Sequence, residues 1–141
     1  MTESEFMKTI LFLCTGNSCR SQMAEAIVNA RYPEWKAYSA GTKPAGYVHE
    51  LAIEVLNEIG IKHSGESKHI NDLPTKNFDL VVTVCDSAAE ECPVWPGKAG
   101  RRVHHGFVDP ARAEGTREQR EQVFRQVRDE MLVIIPKLLE I

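Results

Sequence analysis

Residues 11–26, LFLCTGNSCRSQMAEA, constrain the fold more than any other stretch of this chain. An apolar run over 8–13 ends at Cys14, and the positions between Cys14 and Arg20 are small or polar. From Ser21 to Tyr32 an alanine-rich segment has helical composition, and Pro33 stops it. A strand handed to a helix through a short loop is the repeating unit of a parallel sheet. The alternation continues along the chain. Residues 37–41 read as a short strand, and 79–84 (DLVVTV) as a strongly β-branched one. Between them Leu51, Val55 and Ile59 recur every four positions, with Gly60 where a helix C-cap belongs. RVHHGF (102–107) is a weaker fourth strand, with a long loop over 93–102 before it. The last helix opens with Thr116 and Gln119 in capping-box spacing and carries Val123, Val127, Met131, Ile135 and Leu138 down one side. Pro136 must kink or fray its end, because it cannot donate to the Leu132 carbonyl. The expected fold is α/β: a four-stranded parallel sheet with helices on both faces, one domain over 8–141, behind a flexible extension over 1–7.

Composition removes several functions. A formal net charge of −3 does not suit a nucleic-acid binder, so any anion affinity must be local. No stretch approaches the ~20 apolar residues of a membrane span. The opening MTESEFMK is acidic and polar, unlike a signal peptide, and a cytoplasmic monomer is expected. Thiols stay reduced there, so four cysteines need a chemical account rather than a structural one.

That account begins at the loop. In a parallel sheet, ligands bind beyond the carboxyl ends of the strands. Cys14 and Cys85 each follow one of the two strongest strands, so both should open onto that edge. A loop of small residues leading into a helix collects backbone N–H groups that favour an anion. Thr15, Gly16, Asn17, Ser18, Cys19, Arg20 and Ser21 would line it, with the Arg20 fork suited to two oxygens of a tetrahedral anion. Thiols in such a field ionise readily, and Ser21 could stabilise a Cys14 thiolate. The Gly-Lys ending of a nucleotide-binding loop is missing.

FLCTGNSCRSQMAEA resembles the phosphate-binding loop of the low-molecular-weight protein tyrosine phosphatase family, and is most similar to its thioredoxin-coupled arsenate reductases. The resemblance continues through SAGT, LVVTVCDSAAEECP and HGFVDPAR, so it covers most of the chain. It implies Cys14 as nucleophile toward arsenate, Arg20 as its clamp and Asp109 as general acid. It also implies a relay in which a Cys14–Cys85 disulfide passes to Cys85–Cys92, recycled by thioredoxin, with no tightly bound cofactor. A phosphatase has no use for Cys85 and Cys92. Were the residues between them helical, seven steps of ~1.5 Å would hold the Cα atoms roughly 10 Å apart, beyond the ~7 Å a disulfide spans. The pair therefore reads as a redox-driven switch.

Two other functions stay open: hydrolysis of phosphotyrosine or a small phosphate ester, and non-catalytic thiol sensing. Ala111 and Arg112 stand where phosphotyrosine-hydrolysing relatives typically carry an aromatic, which favours a small inorganic oxyanion. Cys19 reads as a small buried residue rather than a resolving thiol. His104 and His105 raise a zinc site with Cys85 and Cys92, but the spacing lacks the tight cysteine pairs of such sites. The resemblance further raises a potassium site at Asn17, Glu25 and Ser39, with Ser67 and His69 at the last two positions. Glu25 could instead pair with His69. Trp35, Trp95 and Phe107 read as packing residues.

Overall fold

A computed structural model describes residues 7–86 and 92–141. The expected extension over 1–7 lies outside them except for Met7. Four strands, β1 (Lys8–Cys14), β2 (Trp35–Gly41), β3 (Asn77–Thr83) and β4 (Lys98–His104), form one sheet in the order β2-β1-β3-β4. Every pairing is parallel, with Ile10 level with both Ala37 and Leu80, and Thr83 level with His104. The helices are α1 (Arg20–Arg31), α2 (Glu50–Asn57) and α3 (Arg117–Leu138), with 3₁₀ turns at Ile70–Asp72 and Pro110–Arg112.

Both faces of the sheet are covered, unequally. Ile10, Phe12, Leu80 and Val82 pack with Met23 and Ile27 of α1, Leu51 and Val55 of α2, and Phe124, Met131 and Ile135 of α3. Leu11, Leu13 and Val81 point the other way, onto Leu73, Phe78 and Trp95, with Ile70 of the 3₁₀ turn beside them. Alternation along β1 separates the two cores. Among the described residues, no helix is long and apolar enough to cross a membrane.

Local signals fixed the helix ends. Gly60, at φ +79°, closes α2 in a Schellman motif: Ile61 N–H donates to Leu56 O (3.0 Å) and Gly60 N–H to Asn57 O (3.0 Å). His49 caps the other end, its Nδ1 accepting from Leu51 N–H. Thr116 and Gln119 form the expected capping box, and α3 ends two residues past Pro136. Phe124 and Leu139 belong to the buried stripe of α3, whereas Val123 and Leu138 are only half-buried.

The fourth strand differs from its expected place. It starts at Lys98, within what reads as loop, and ends at His104. It is an edge strand whose charged side chains face water, so no apolar alternation marks it. Pairing with β3 defines it instead, and Arg102 ties it to the preceding segment through the carbonyls of Trp95 (3.0 Å) and Gly97 (2.8 Å).

Candidate active site

Cys14 ends β1, Cys19 is the N-cap of α1, and the loop between them is an almost closed ring of backbone. Its carbonyls are turned outward and tied to the surrounding shell. Thr15 O accepts from Lys43 N–H (3.0 Å), Gly16 O from Ala45 N–H (2.9 Å) and Ser67 Oγ (3.1 Å), and Ser18 O from His49 N–H (2.9 Å). Asn17 O accepts from Gln22 Nε2 (3.2 Å). Because carbonyl and amide groups point in opposing directions, this leaves the loop N–H groups aimed inward, which makes an anion nest. Cys19 makes no side-chain cap, so the α1 amides are not closed off by their own capping residue.

Asn17 holds the ring in shape. It is fully buried and sits in the left-handed region at φ +47°, uncommon for a residue with a side chain. Its Oδ1 accepts from Lys68 N–H (2.9 Å) and Gln22 Nε2 (3.0 Å), and its Nδ2 donates to Ser21 Oγ (2.8 Å). With Ser21 accepting from Asn17, its proton is free to point at Cys14 Sγ, 2.9 Å away. Asn17 N–H approaches the same sulfur at 3.3 Å. Two donors therefore converge on this one buried sulfur.

Gly41 of β2 passes directly against this ring. A Cβ there would collide with the Thr15 carbonyl and lie 2.9 Å from Cys14 O. Gly41→Ala should therefore cost about 1–3 kcal/mol and weaken anion binding at the same time. Urea midpoints with and without phosphate check this; an alanine variant with unchanged midpoint and unchanged phosphate protection would contradict it.

Arg20 is 3% exposed. Its Nη1 donates to Phe107 O (3.3 Å), and its Nη2 lies 3.6 Å from Asp109 Oδ2. Asp109 starts the 3₁₀ turn by accepting from Ala111 N–H (3.0 Å). Cys19 Sγ points at Asp109 Oδ1, 3.5 Å away. Burial, and then the Asp109 carboxylate, push the Cys19 thiol well up, so it stays protonated as a donor. This agrees with its reading as a buried residue rather than a nucleophile.

Val84 N–H donates to Leu13 O (2.9 Å), so the segment leaving β3 runs beside β1 and delivers Cys85 to the Cys14 edge. Cys85 is fully buried and disulfide-bonded to Cys92, with Cα atoms 5.8 Å apart, well inside the helical separation of roughly 10 Å. The pair is therefore in its bridged state. A cavity of about 480 Å³ connects Cys92 to Thr15 of the loop, with Lys43 and Arg112 on its walls.

The region behind the loop corrects one expectation. Glu25 faces His63 (3.7 Å) and accepts from Ser39 Oγ (3.2 Å), whereas His69 caps the turn at Ile70–Asp72. The Asn17 Oδ1 accepts from both Lys68 and Gln22, and burial raises the Glu25 pKa. His63 and Lys68 were not legible as site residues, since no local motif contains them; Gln22 lies within the loop motif, but its partner His63 is 41 positions away.

His63 has a pH consequence. Its Nε2 donates to Gln22 Oε1 (2.7 Å), so the neutral ring supports the network. Burial, and then Lys68, lower its pKa, and burial likewise lowers that of His49. A depressed native value means the unfolded chain binds more protons. These contributions are thus complete above about pH 6.5 and disappear as pH falls through the native values. Thermal midpoints should drop on acidification from about pH 7.5 to about pH 5, and less steeply in His63→Gln. An identical slope in that variant would exclude His63 as a source.

These features can be set beside known proteins. Residues 9–140 match the family model for low molecular weight phosphotyrosine protein phosphatase. The chain is 48% identical over 138 residues to an arsenate reductase of Shouchella clausii, covering 94% of this chain and 96% of that protein. It is 48% identical over 126 residues to an arsenate reductase of Bacillus subtilis, covering 88% and 89%. Among solved structures, a low molecular weight protein tyrosine phosphatase from T. tengcongensis superposes with a TM-score of 0.74 at 29% identity, covering 94% of this chain and 98% of that one. An arsenate reductase in its oxidized state gives 0.73 at 27% identity, covering 95% and 98%. With a family match running from β1 through α3 and a loop whose inward amides suit a tetrahedral oxyanion, the chain belongs to the low molecular weight phosphotyrosine protein phosphatase family.

Proposed function

We propose that this protein reduces arsenate to arsenite. The observation that carries the reading is the Cys85–Cys92 disulfide, on the sheet edge that holds Cys14 and opening into a cavity shared with Thr15. Hydrolysis of a phosphate ester needs neither of these thiols. The names of the relatives from Shouchella clausii and Bacillus subtilis support the same activity.

The chemistry follows from the site. Arsenate binds to the loop amides and Arg20, and the Cys14 thiolate attacks arsenic, forming an S–As bond. Asp109, in contact with Arg20 and on the Phe107 side of the loop, takes up a proton from solvent and passes it to the oxygen that leaves as water. Cys85 then attacks Cys14 Sγ. The S–As bond breaks with its electron pair left on arsenic, which departs as arsenite, and a Cys14–Cys85 disulfide remains. Cys92 attacks Cys85 and frees the Cys14 thiolate. A dithiol protein of the thioredoxin class returns two electrons and two protons to Cys85–Cys92.

The test is arsenate-dependent NADPH consumption with thioredoxin and thioredoxin reductase, run with Cys85→Ser in parallel. Consumption that vanishes in the variant supports the relay. No consumption, with p-nitrophenyl phosphate still hydrolysed, makes the protein a phosphatase with spare thiols. Silence in both assays points to a thiol sensor.

A further inference from the structure

Cys85, Cys92 and His104 meet at the exposed end of β3 and β4, where their potential ligand atoms all lie within 4.8 Å of one another. They arrive from three separate places. Cys85 is two residues past β3, Cys92 precedes the segment leading into β4, and His104 is the last residue of β4. Sequence spacing hides this cluster, because a local cysteine pair is the usual zinc signature. His105 goes elsewhere, stacking near Phe107 with ring centroids 4.9 Å apart.

The arrangement has the supports of a ligand set. His104 is level with Thr83 across the sheet, and Thr83 Oγ1 sits 2.7 Å from His104 Nδ1. A hydrogen bond to one ring nitrogen holds the imidazole orientation, as the outer-shell partners of metal-bound histidines do. Gly106 lets the following chain lie against the Cys85 carbonyl, where a Cβ would stand 2.8 Å away. Cys85 is buried, Cys92 half-buried and His104 exposed, so the cluster has a solvent side for entry.

We propose that the reduced Cys85–Cys92 pair and His104 bind one thiophilic divalent cation of the zinc and cadmium class. In the disulfide the sulfurs are bonded to each other and are not thiolate ligands. Reduction adds two electrons and two protons and breaks that bond. Metal binding then displaces both thiol protons to water with no further electron transfer. Two Zn–S bonds of ~2.3 Å at tetrahedral angles place the sulfurs roughly 3.8 Å apart. A Cα separation of 5.8 Å accommodates that by side-chain rotation. Water takes the fourth position. Resting on the reading of the relay above, the bound ion withholds both downstream thiols, so zinc arrests recycling without occupying the Cys14 loop.

The test uses full-length protein reduced with a phosphine, freed of reductant under argon and titrated with cadmium. The expected result is a thiolate-to-cadmium absorption band saturating at one ion per chain, absent from the oxidised protein and lost in Cys92→Ser. In His104→Ala, zinc affinity measured against a chromophoric chelator should fall about 10-fold or more. An unchanged urea midpoint in that variant reports that its fold is intact. An unchanged band in Cys92→Ser, or unchanged zinc affinity in His104→Ala, overturns the site. None of these readouts contains arsenate, so they stand or fall separately from the reductase reading.

Discussion

Cys14→Ser is expected to lower arsenate reduction and p-nitrophenyl phosphate hydrolysis together, by about 10⁴-fold or more. Serine keeps the size of the side chain and can still accept from Asn17 N–H and Ser21, so the loop has no reason to reorganise. What disappears is the sulfur nucleophile of the proposed mechanism. Among the described residues, a hydroxyl at this position has no general base as a hydrogen-bond partner, since Ser21 and the Asn17 amide are both donors toward it. Phosphate protection against urea should survive in the variant, because the amides and Arg20 remain. Residual activity within about 10-fold of the parent in either assay would mean that Cys14 is not the nucleophile.

Arg20→Lys is expected to cost about 10²–10³ in catalytic efficiency toward arsenate, despite conserving charge. The guanidinium donates to Phe107 O with one nitrogen and faces Asp109 with another, so its plane is set before any anion arrives. A lysine is a point charge on a flexible stem and cannot hold two oxygens while keeping the carbonyl contact. The loss should fall on both KM and kcat, because in the proposed mechanism the clamp binds the ground state and positions Asp109 for proton transfer. A loss confined to KM would remove the positioning role. Wild-type efficiency in the lysine variant would remove both.

The two substitutions differ in how far the sequence alone could justify them. Cys14, Asn17 and Ser21 lie within one loop and the first turn of a helix, and their mutual contacts span three, four and seven positions. Contacts that short follow from strand–loop–helix geometry, so the approach of Ser21 to Cys14 was legible. Arg20 was legible as a cation at a helix start, but its partners were not. Phe107 is 87 positions away, and Cys19, its neighbour, meets Asp109 across 90. The same holds behind the loop, where Asn17 meets Lys68 across 51 positions and Gln22 meets His63 across 41. No periodicity or capping rule contains such pairs. The expected Glu25–His69 pairing failed for this reason: Glu25 meets His63 and Ser39 instead, while His69 caps its own turn.

The strands divide in the same way. β1 and β3 are buried on both faces and announce themselves as apolar runs, whereas β4 has water on its outer side and is a strand only because β3 pairs with it. By itself, then, the sequence determined the alternation of strands and helices, the caps at Gly60, Thr116 and Gln119, and the loop that gathers amides under a thiol, all set by interactions within one or two turns of chain. Tertiary structure alone decided which way the loop carbonyls face, which partners orient Arg20 and Asn17, and that His104 stands beside Cys85 and Cys92. Those outcomes depend on hydrogen bonds and register between segments far apart in the chain, and such contacts exist only once the sheet has assembled.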